Sequence, residues 1–233
     1  RRRGDSGYRV MTWEEAIGEA GKRLRETDGR RIAFYLTSRG IPNETYYAAQ
    51  RAARFFGSNS VDNAARLCHA ASTTAMKGML GHGASTGTYR DWLAADLIVF
   101  FGSNVPNNQP VTMKYLYEAK KNGARIAVVN PYREPGLEAY WIPSVLESAV
   151  FGTRLADDWF DVDTGGDLAF LTGVFKALLE EPGGVDTVFV REQTAGFEEA
   201  AASAEALSWS ELERESGTTQ PRMRDFARLL IAK

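Results

Sequence analysis

The stretch that most constrains this chain runs from residue 96 to residue 129, where a strand, a polar loop, a helix and a second strand follow in turn. Asp96 is followed by the apolar run Leu97-Ile98-Val99-Phe100-Phe101, the pattern of a strand buried on both faces. The loop Gly102-Ser103-Asn104-Val105-Pro106-Asn107-Asn108-Gln109-Pro110 comes next. A helix is predicted over 112–121, Asn122-Gly123 stops it, and Arg125-Ile126-Ala127-Val128-Val129 is the next strand. Strands joined through a helix pair in parallel, because a hairpin cannot connect them.

The same grammar recurs on either side. Thr12 and Glu15 form a capping box that opens a helix with Ala16, Ile17, Ala20 and Leu24 on its apolar face. Residues 31–37 read as a buried strand closed by Ser38-Arg39-Gly40. A helix starting near Asn43-Glu44 then places Tyr46, Ala49, Ala52 and Phe55 at helical spacing, with Tyr46 a better core candidate than Tyr47. A further strand is predicted at 158–162 with a helix at 168–179. Several helices fill 183–233, and the acidic, alanine-rich part from Glu198 to Glu215 reads as solvated helix surface. The expected fold class is α/β: Rossmann-like αβα layers on a mostly parallel sheet, with a helical C-terminal part.

Composition narrows the function classes. Net charge is −2, with 25% charged and 44% hydrophobic residues, so no basic field argues for nucleic acid. No apolar run is long enough to span a membrane, and a single cysteine forbids an internal disulfide. Arg1-Arg2-Arg3 is followed by Gly4-Asp5-Ser6-Gly7 where an export signal needs an apolar region, which argues against a twin-arginine signal. The chain opens on Arg1, so its N-terminus is expected further upstream. A cytoplasmic location is expected, with an export signal left open. The five tryptophans, Trp13 and Trp92 among them, are expected to pack.

In an open α/β sheet, ligands bind outside the carboxyl ends of the strands. Three loops fall at that edge: residues 102–110, 130–134 and 164–167. Their glycines let a backbone approach a phosphate, Arg133 can pair with one, and Asp163 or Asp167 can accept from a guanine edge or a ribose hydroxyl. Arg39 and Arg66 are further phosphate candidates, with surface ion pairs as the plain alternative. Turn chemistry alone explains many such Gly and Asn residues. Three loops in register nevertheless suggest a large, extended, phosphorylated ligand. The dinucleotide fingerprint G-x-G-x-x-G is missing where it belongs, which argues against an ordinary nucleotide-binding domain.

Cys68 is the one cysteine, and His69, one of two histidines, stands beside it at the start of a helix-prone run that ends in Gly81-His82-Gly83. A thiolate is a soft metal ligand, and imidazole exchanges a proton near neutral pH. A buried structural Cys with a hydrogen-bonded His neighbour is the alternative. His82 reads as a loop residue.

Thr37-Ser38-Arg39-Gly40, Asn43-Glu44-Thr45, Arg66-Leu67-Cys68-His69, Gly81-His82-Gly83, Phe101-Gly102-Ser103-Asn104 and Asn130-Pro131 fall in an order that resembles the molybdopterin oxidoreductases, specifically the formate dehydrogenase alpha-subunit branch. The resemblance runs through essentially the whole chain and is densest from residue 38 to 166. It implies that Cys68 binds molybdenum or tungsten and that His69 is the proton acceptor beside the metal. It implies that bis-molybdopterin guanine dinucleotide is held by Gly102, Ser103, Asn104, Asn107, Asn108, Asn130, Pro131, Arg133, Thr164, Gly165, Gly166 and Asp167.

By the same resemblance, this is an internal fragment, inactive alone, of an enzyme that oxidises formate or a related small oxo-acid by two electrons. An electron-acceptor protein or subunit is an expected partner. An iron–sulfur cluster has a place only in a missing N-terminal region, since this chain has no further cysteine. Residues 1–67 would form a partial α/β lobe completed by sequence beyond the chain, and residues 68–233 the α/β molybdopterin-binding lobe. Ala70-Ala71-Ser72 departs from the Gly-Pro-Ser common after the metal ligand, which leaves the substrate open. The alternative is a non-catalytic scaffold subunit of the same family that has lost its metal.

Overall fold

The structure, a computed structural model, describes residues 4, 6–37, 40–143 and 145–233. The expectations placed on Arg1 to Arg3, on the Ser38-Arg39 turn and on Arg39 as a phosphate ligand lie outside the described residues. The chain divides into two compact units, residues 1–86 and 87–233. The segment bearing Cys68 thus clusters with the first strand pair.

In the first unit, α1 (Trp13–Glu26) begins at the capping box that the sequence shows: Thr12 Oγ1 accepts from the Glu15 amide at 3.2 Å and Glu15 Oε2 from the Thr12 amide at 2.9 Å. Strand β1 (Ala33–Leu36) is followed by α2 (Asn43–Phe55) and β2 (Ser60–Asn63). The strands pair in parallel, Phe34 opposite Val61. The β2 sequence Ser-Val-Asp-Asn carries one apolar residue and no pattern of its own, so its strand character comes from pairing with β1. Ser58, buried just before it, donates from Oγ to the Ile32 carbonyl at 2.5 Å and anchors the crossover. Helix α3 (Ala65–Cys68) and helix α4 (Ala70–Leu80) follow, the latter ended by Gly81 at φ 70°. Among the described residues of this unit only Ile32, Ala53 and Ser58 are buried, while Phe55 and Leu67 are each 83% exposed. Two strands do not form a self-sufficient sheet.

In the second unit, β3 (Leu97–Phe101), β4 (Arg125–Val129) and β5 (Asp158–Phe160) form a parallel sheet in the order β3-β4-β5. Side chains alternate across it as period two requires. Ile98, Ile126, Val128 and Trp159 enter one core. Ala127, Val129 and Phe160 enter the other. After the single turn α5 (Val105–Asn108), helix α6 (Met113–Lys121) covers the first face with Met113, Leu116 and Ala119 fully buried. The α/β expectation holds, with parallel strands covered on both faces.

The connection from β4 to β5 carries no periodic pattern in the sequence and is nevertheless ordered. It holds the short helices α7 (Pro135–Glu138) and α8 (Leu146–Phe151), tied by an antiparallel bridge between Tyr140 and Thr153. Buried Ser148 is its hub: Oγ accepts from the Ile142 amide at 2.8 Å and from Thr153 Oγ1 at 2.7 Å, and donates to the Tyr140 carbonyl at 3.0 Å. Lys120 then fixes the return by donating to the Leu155 carbonyl at 3.0 Å and Asp157 Oδ1 at 2.6 Å.

Helix α9 (Asp167–Glu180) lies on the second face, followed by α10 (Thr187–Gln193), α11 (Phe197–Ala206), α12 (Trp209–Ser216) and α13 (Gln220–Ile231). Phe170, Val174, Leu212, Met223 and Phe226 complete this core. Gly173 is needed there, because a Cβ at this position would lie 2.1 Å from Met223 Sδ. The glutamates from Glu198 to Glu215 face solvent wholly or in part, as expected. Trp159 packs, but Trp13 is 82% and Trp141 64% exposed, against the expectation for the tryptophans.

Candidate functional site

Parallel pairing brings the carboxyl ends of β3, β4 and β5 to one edge of the second unit. The Gly102 amide donates to the Val129 carbonyl at 2.9 Å, and the Asn130 amide to the Phe160 carbonyl at 3.1 Å, which staples the three loops side by side. Gly102 at φ 55° and Gly165 at φ 89° adopt the left-handed region that favours glycine, and a Cβ on either would meet nothing within 4 Å.

The three loops are not equivalent. Asn104 lies between β3 and α5, and its Nδ2 donates to Glu134 Oε2 in the second loop at 2.7 Å. Its Oδ1 is buried with no hydrogen-bond partner. Asn107 and Asn108 are exposed on α5, their amides donating to the Asn104 carbonyl at 3.2 and 2.9 Å. Asn130 is buried, and its Nδ2 donates to the Tyr132 carbonyl at 2.7 Å, so its amide shapes its own turn. Exposed Pro131 follows it. Arg133 reaches across to Asp161 at 3.3 Å and lies 5.7 Å over the Trp159 ring, while remaining half-exposed. Ser103 is half-buried in the first loop; in the third, Thr164 and Gly165 are exposed, but Gly166 is buried, where a Cβ would lie 2.7 Å from the Ser216 carbonyl. Asp163, a candidate acceptor, is held through its amide to that carbonyl at 2.8 Å and lies against Gly217. Asp167 opens α9, half-buried.

In the first unit Cys68 ends α3 and His69 joins it to α4. The turn that starts α3 is built by Asn63, whose Oδ1 accepts from the Ala65 amide at 2.9 Å, and by Arg66 Nε donating to Asp62 Oδ2 at 2.5 Å. The Arg66 guanidinium, with the Asn63 amide, holds the Asp62 carboxyl below the usual carboxylate range. Arg66 is thus engaged in the ion pair. The Cys68 amide donates to the Ala64 carbonyl at 3.0 Å and the His69 amide to Ala65 at 2.8 Å. Cys68 is a free, exposed thiol in this chain. His69 lines an open cleft of about 860 Å³ with Asn43, Tyr46, Gln50, Asp62 and Arg66, and Cys68 lies outside that lining. Tyr46 donates from its hydroxyl to the Thr37 carbonyl, whereas Tyr47 is 63% exposed.

The expected site residues therefore fall into two groups, one in each unit. Residues 102–104, 130–134 and 161–167 are brought to one edge, while Cys68 and His69 share one helix junction. Two contributors were missed. Ser216 gives no sequence signal, and Glu134 stood within a quoted loop without any periodicity to mark it.

The family model for molybdopterin oxidoreductase matches residues 1–181. The chain belongs to the molybdopterin oxidoreductase family. Protein YdeP of Escherichia coli (strain K12) is 30% identical over 234 residues, covering 94% of this chain and 30% of that protein. Formate dehydrogenase H of the same strain is 30% identical over 224 residues, covering 94% of this chain and 29% of that enzyme. Acetylene hydratase from Pelobacter acetylenicus superposes with a TM-score of 0.61 at 19% identity, covering 96% of this chain and 28% of that one, a likeness of fold alone. This molybdopterin oxidoreductase chain therefore spans about 30% of the length of its YdeP relative.

Family membership implies oxidoreductase chemistry and a molybdenum or tungsten pterin cofactor. The residues fit such a group. No three His, Cys, Asp or Glu side chains cluster as metal ligands among the described residues. A lone exposed thiol suits a metal whose other ligands arrive with the cofactor. The sheet edge adds open left-handed glycines and one buried acceptor without a partner. Among the described residues, no helix is long and apolar enough to cross a membrane.

Proposed function

We propose that this chain is part of a molybdenum or tungsten bis-molybdopterin guanine dinucleotide oxidoreductase that oxidises formate or a related small oxo-acid. The observation that carries the reading is Cys68, a solvent-exposed thiol one residue from a histidine that lines an open cleft. In this reading Cys68 Sγ supplies one thiolate ligand to the metal. Gly102, Ser103, Asn104, Asn107, Asn108, Asn130, Pro131, Arg133, Thr164, Gly165, Gly166 and Asp167 form the edge that receives the pterin and guanine nucleotide. Asn130 and Gly166 act there through backbone shape, since their side-chain positions are already filled.

When bound, the cofactor supplies the two-electron redox step. Oxidation of formate to carbon dioxide releases two electrons and one proton. His69 takes that proton at an imidazole nitrogen, neutral imidazole being the side chain suited to accept one near pH 7. The cleft beside it, lined by Asn43, Tyr46 and Gln50, offers polar groups that orient a small carboxylate.

We place residues 1–67 in a partial lobe completed by sequence outside this chain and residues 68–233 in the molybdopterin-binding lobe; the sparse burial of the first unit fits a partial lobe, although residues 68–86 cluster with that unit. The chain alone is then inactive. We place the full enzyme in the cytoplasm with an electron-accepting protein or subunit as partner. The full-length protein is the one to test for formate-dependent dye reduction. His69→Gln should keep the metal and lower kcat by about 10²- to 10⁴-fold, the usual worth of a general base. Cys68→Ser should abolish turnover with the fold kept. No turnover by wild type or by Cys68→Ser, with the fold kept in both, would favour a scaffold subunit instead.

A further inference from the structure

Asn104 and Glu134 together carry more information than either alone. Asn104 has one donating and one accepting end. A carboxylate only accepts, so Glu134 Oε2, 2.7 Å from Asn104 Nδ2, dictates which end faces it. The amide oxygen is turned the other way, buried and without a partner. A buried polar atom without a partner costs stability, and such an atom at a sheet's ligand edge is spared for something that binds. Two donors of the second loop are directed elsewhere, Asn130 Nδ2 to the Tyr132 carbonyl and Arg133 Nη2 to Asp161.

We infer that Glu134 is a positioning residue that locks Asn104 with its carbonyl oxygen presented to the cofactor, so that this point of the edge recognises a hydrogen-bond donor and rejects a phosphate oxygen. The inference rests on the cofactor reading above. An N–H of a fused-ring heterocycle or a ribose hydroxyl is the matching chemistry. Phosphate oxygens, which also only accept, are left to donors such as the half-exposed Arg133 guanidinium. Glu134 itself touches no ligand and acts only through Asn104.

A polarity swap tests this in the full-length protein, made in a host that produces the cofactor. The readouts are pterin retained per chain, from the fluorescence of the released and oxidised pterin, and the melting temperature. Glu134→Gln lets the Asn104 amide turn over, because the new side chain can donate. Asn104→Asp sets two carboxylates against each other. Each should lower retained pterin about fivefold to tenfold, the worth of one ordinary hydrogen bond. The double variant Asn104→Asp/Glu134→Gln should recover to within about twofold of wild type, because the introduced amide donates to the introduced carboxylate and again leaves an oxygen facing the cofactor. Singles that retain wild-type pterin would overturn the inference. So would a double variant no better than the worse single, or losses that track melting temperature in all three variants. Wild-type protein without any pterin would instead sink the cofactor reading, and this inference with it.

Discussion

The Phe226 ring meets the Phe160 ring edge-on, with centroids 4.8 Å apart and planes at 83°. Phe226 comes from the last helix and Phe160 from the strand that leads into the third loop. Phe170 joins them, 5.4 Å from Phe226, so one aromatic cluster bolts α9 and α13 to the sheet beneath the candidate cofactor edge. Phe226→Ala should destabilise the second unit by about 3–5 kcal/mol through lost burial and the cavity left behind. Denaturant unfolding followed by tryptophan fluorescence would read it. A loss under about 1 kcal/mol would mean that α13 contributes little to this core.

Ser148 is the second test of the packing. Ser148→Ala removes the acceptor of the buried Ile142 amide and the donor to the Tyr140 carbonyl. The expected cost is about 1–3 kcal/mol, because the buried Ile142 amide is left without an acceptor, while the Tyr140 carbonyl keeps the Thr153 amide. Proteolysis should then cut within residues 140–153 first. Unchanged stability and an unchanged digestion pattern would contradict the hub.

The Asp62 and Arg66 pair gives a pH dependence. Arg66 holds the folded-state pKa of Asp62 below its unfolded value, so the contribution is complete above the ordinary aspartate range, near pH ~4, and is lost as pH falls through the lowered folded value. The melting-temperature gap between wild type and Asp62→Asn should therefore be present at about pH 7 and close on acidification below about pH 4. Both side chains are substantially exposed, so added salt should narrow the gap at neutral pH as well.

Much of this was legible in the sequence where a residue's role is local. The Thr12 to Glu15 box and the apolar runs of β3 and β4 declare themselves within a few residues, and the glycines at 102 and 165 lie in loops read directly from turn chemistry. What stayed hidden depends on partners far along the chain. Strand β2 exists because β1 lies beside it. The connection of residues 134–157 is organised by Ser148 and Lys120, neither of which belongs to a periodic pattern. Glu134 gains its meaning only from Asn104, 30 residues away. The resemblance named Asn104, Asn130 and Gly166 as equal members of one list. The structure separates them, since Asn130 is spent on its own turn and Gly166 on Ser216, while Asn104 keeps an acceptor free.

The central claim is that Cys68 and the three-loop edge serve a metal-bearing pterin cofactor. Elemental analysis of the full-length protein for molybdenum, tungsten and iron, together with release of the pterin, tests it most directly. About one molybdenum or tungsten per chain, accompanied by a guanine-bearing pterin, is the result expected. Neither metal and no pterin, from a host able to make both, would contradict the account and leave Cys68 and His69 without a catalytic role.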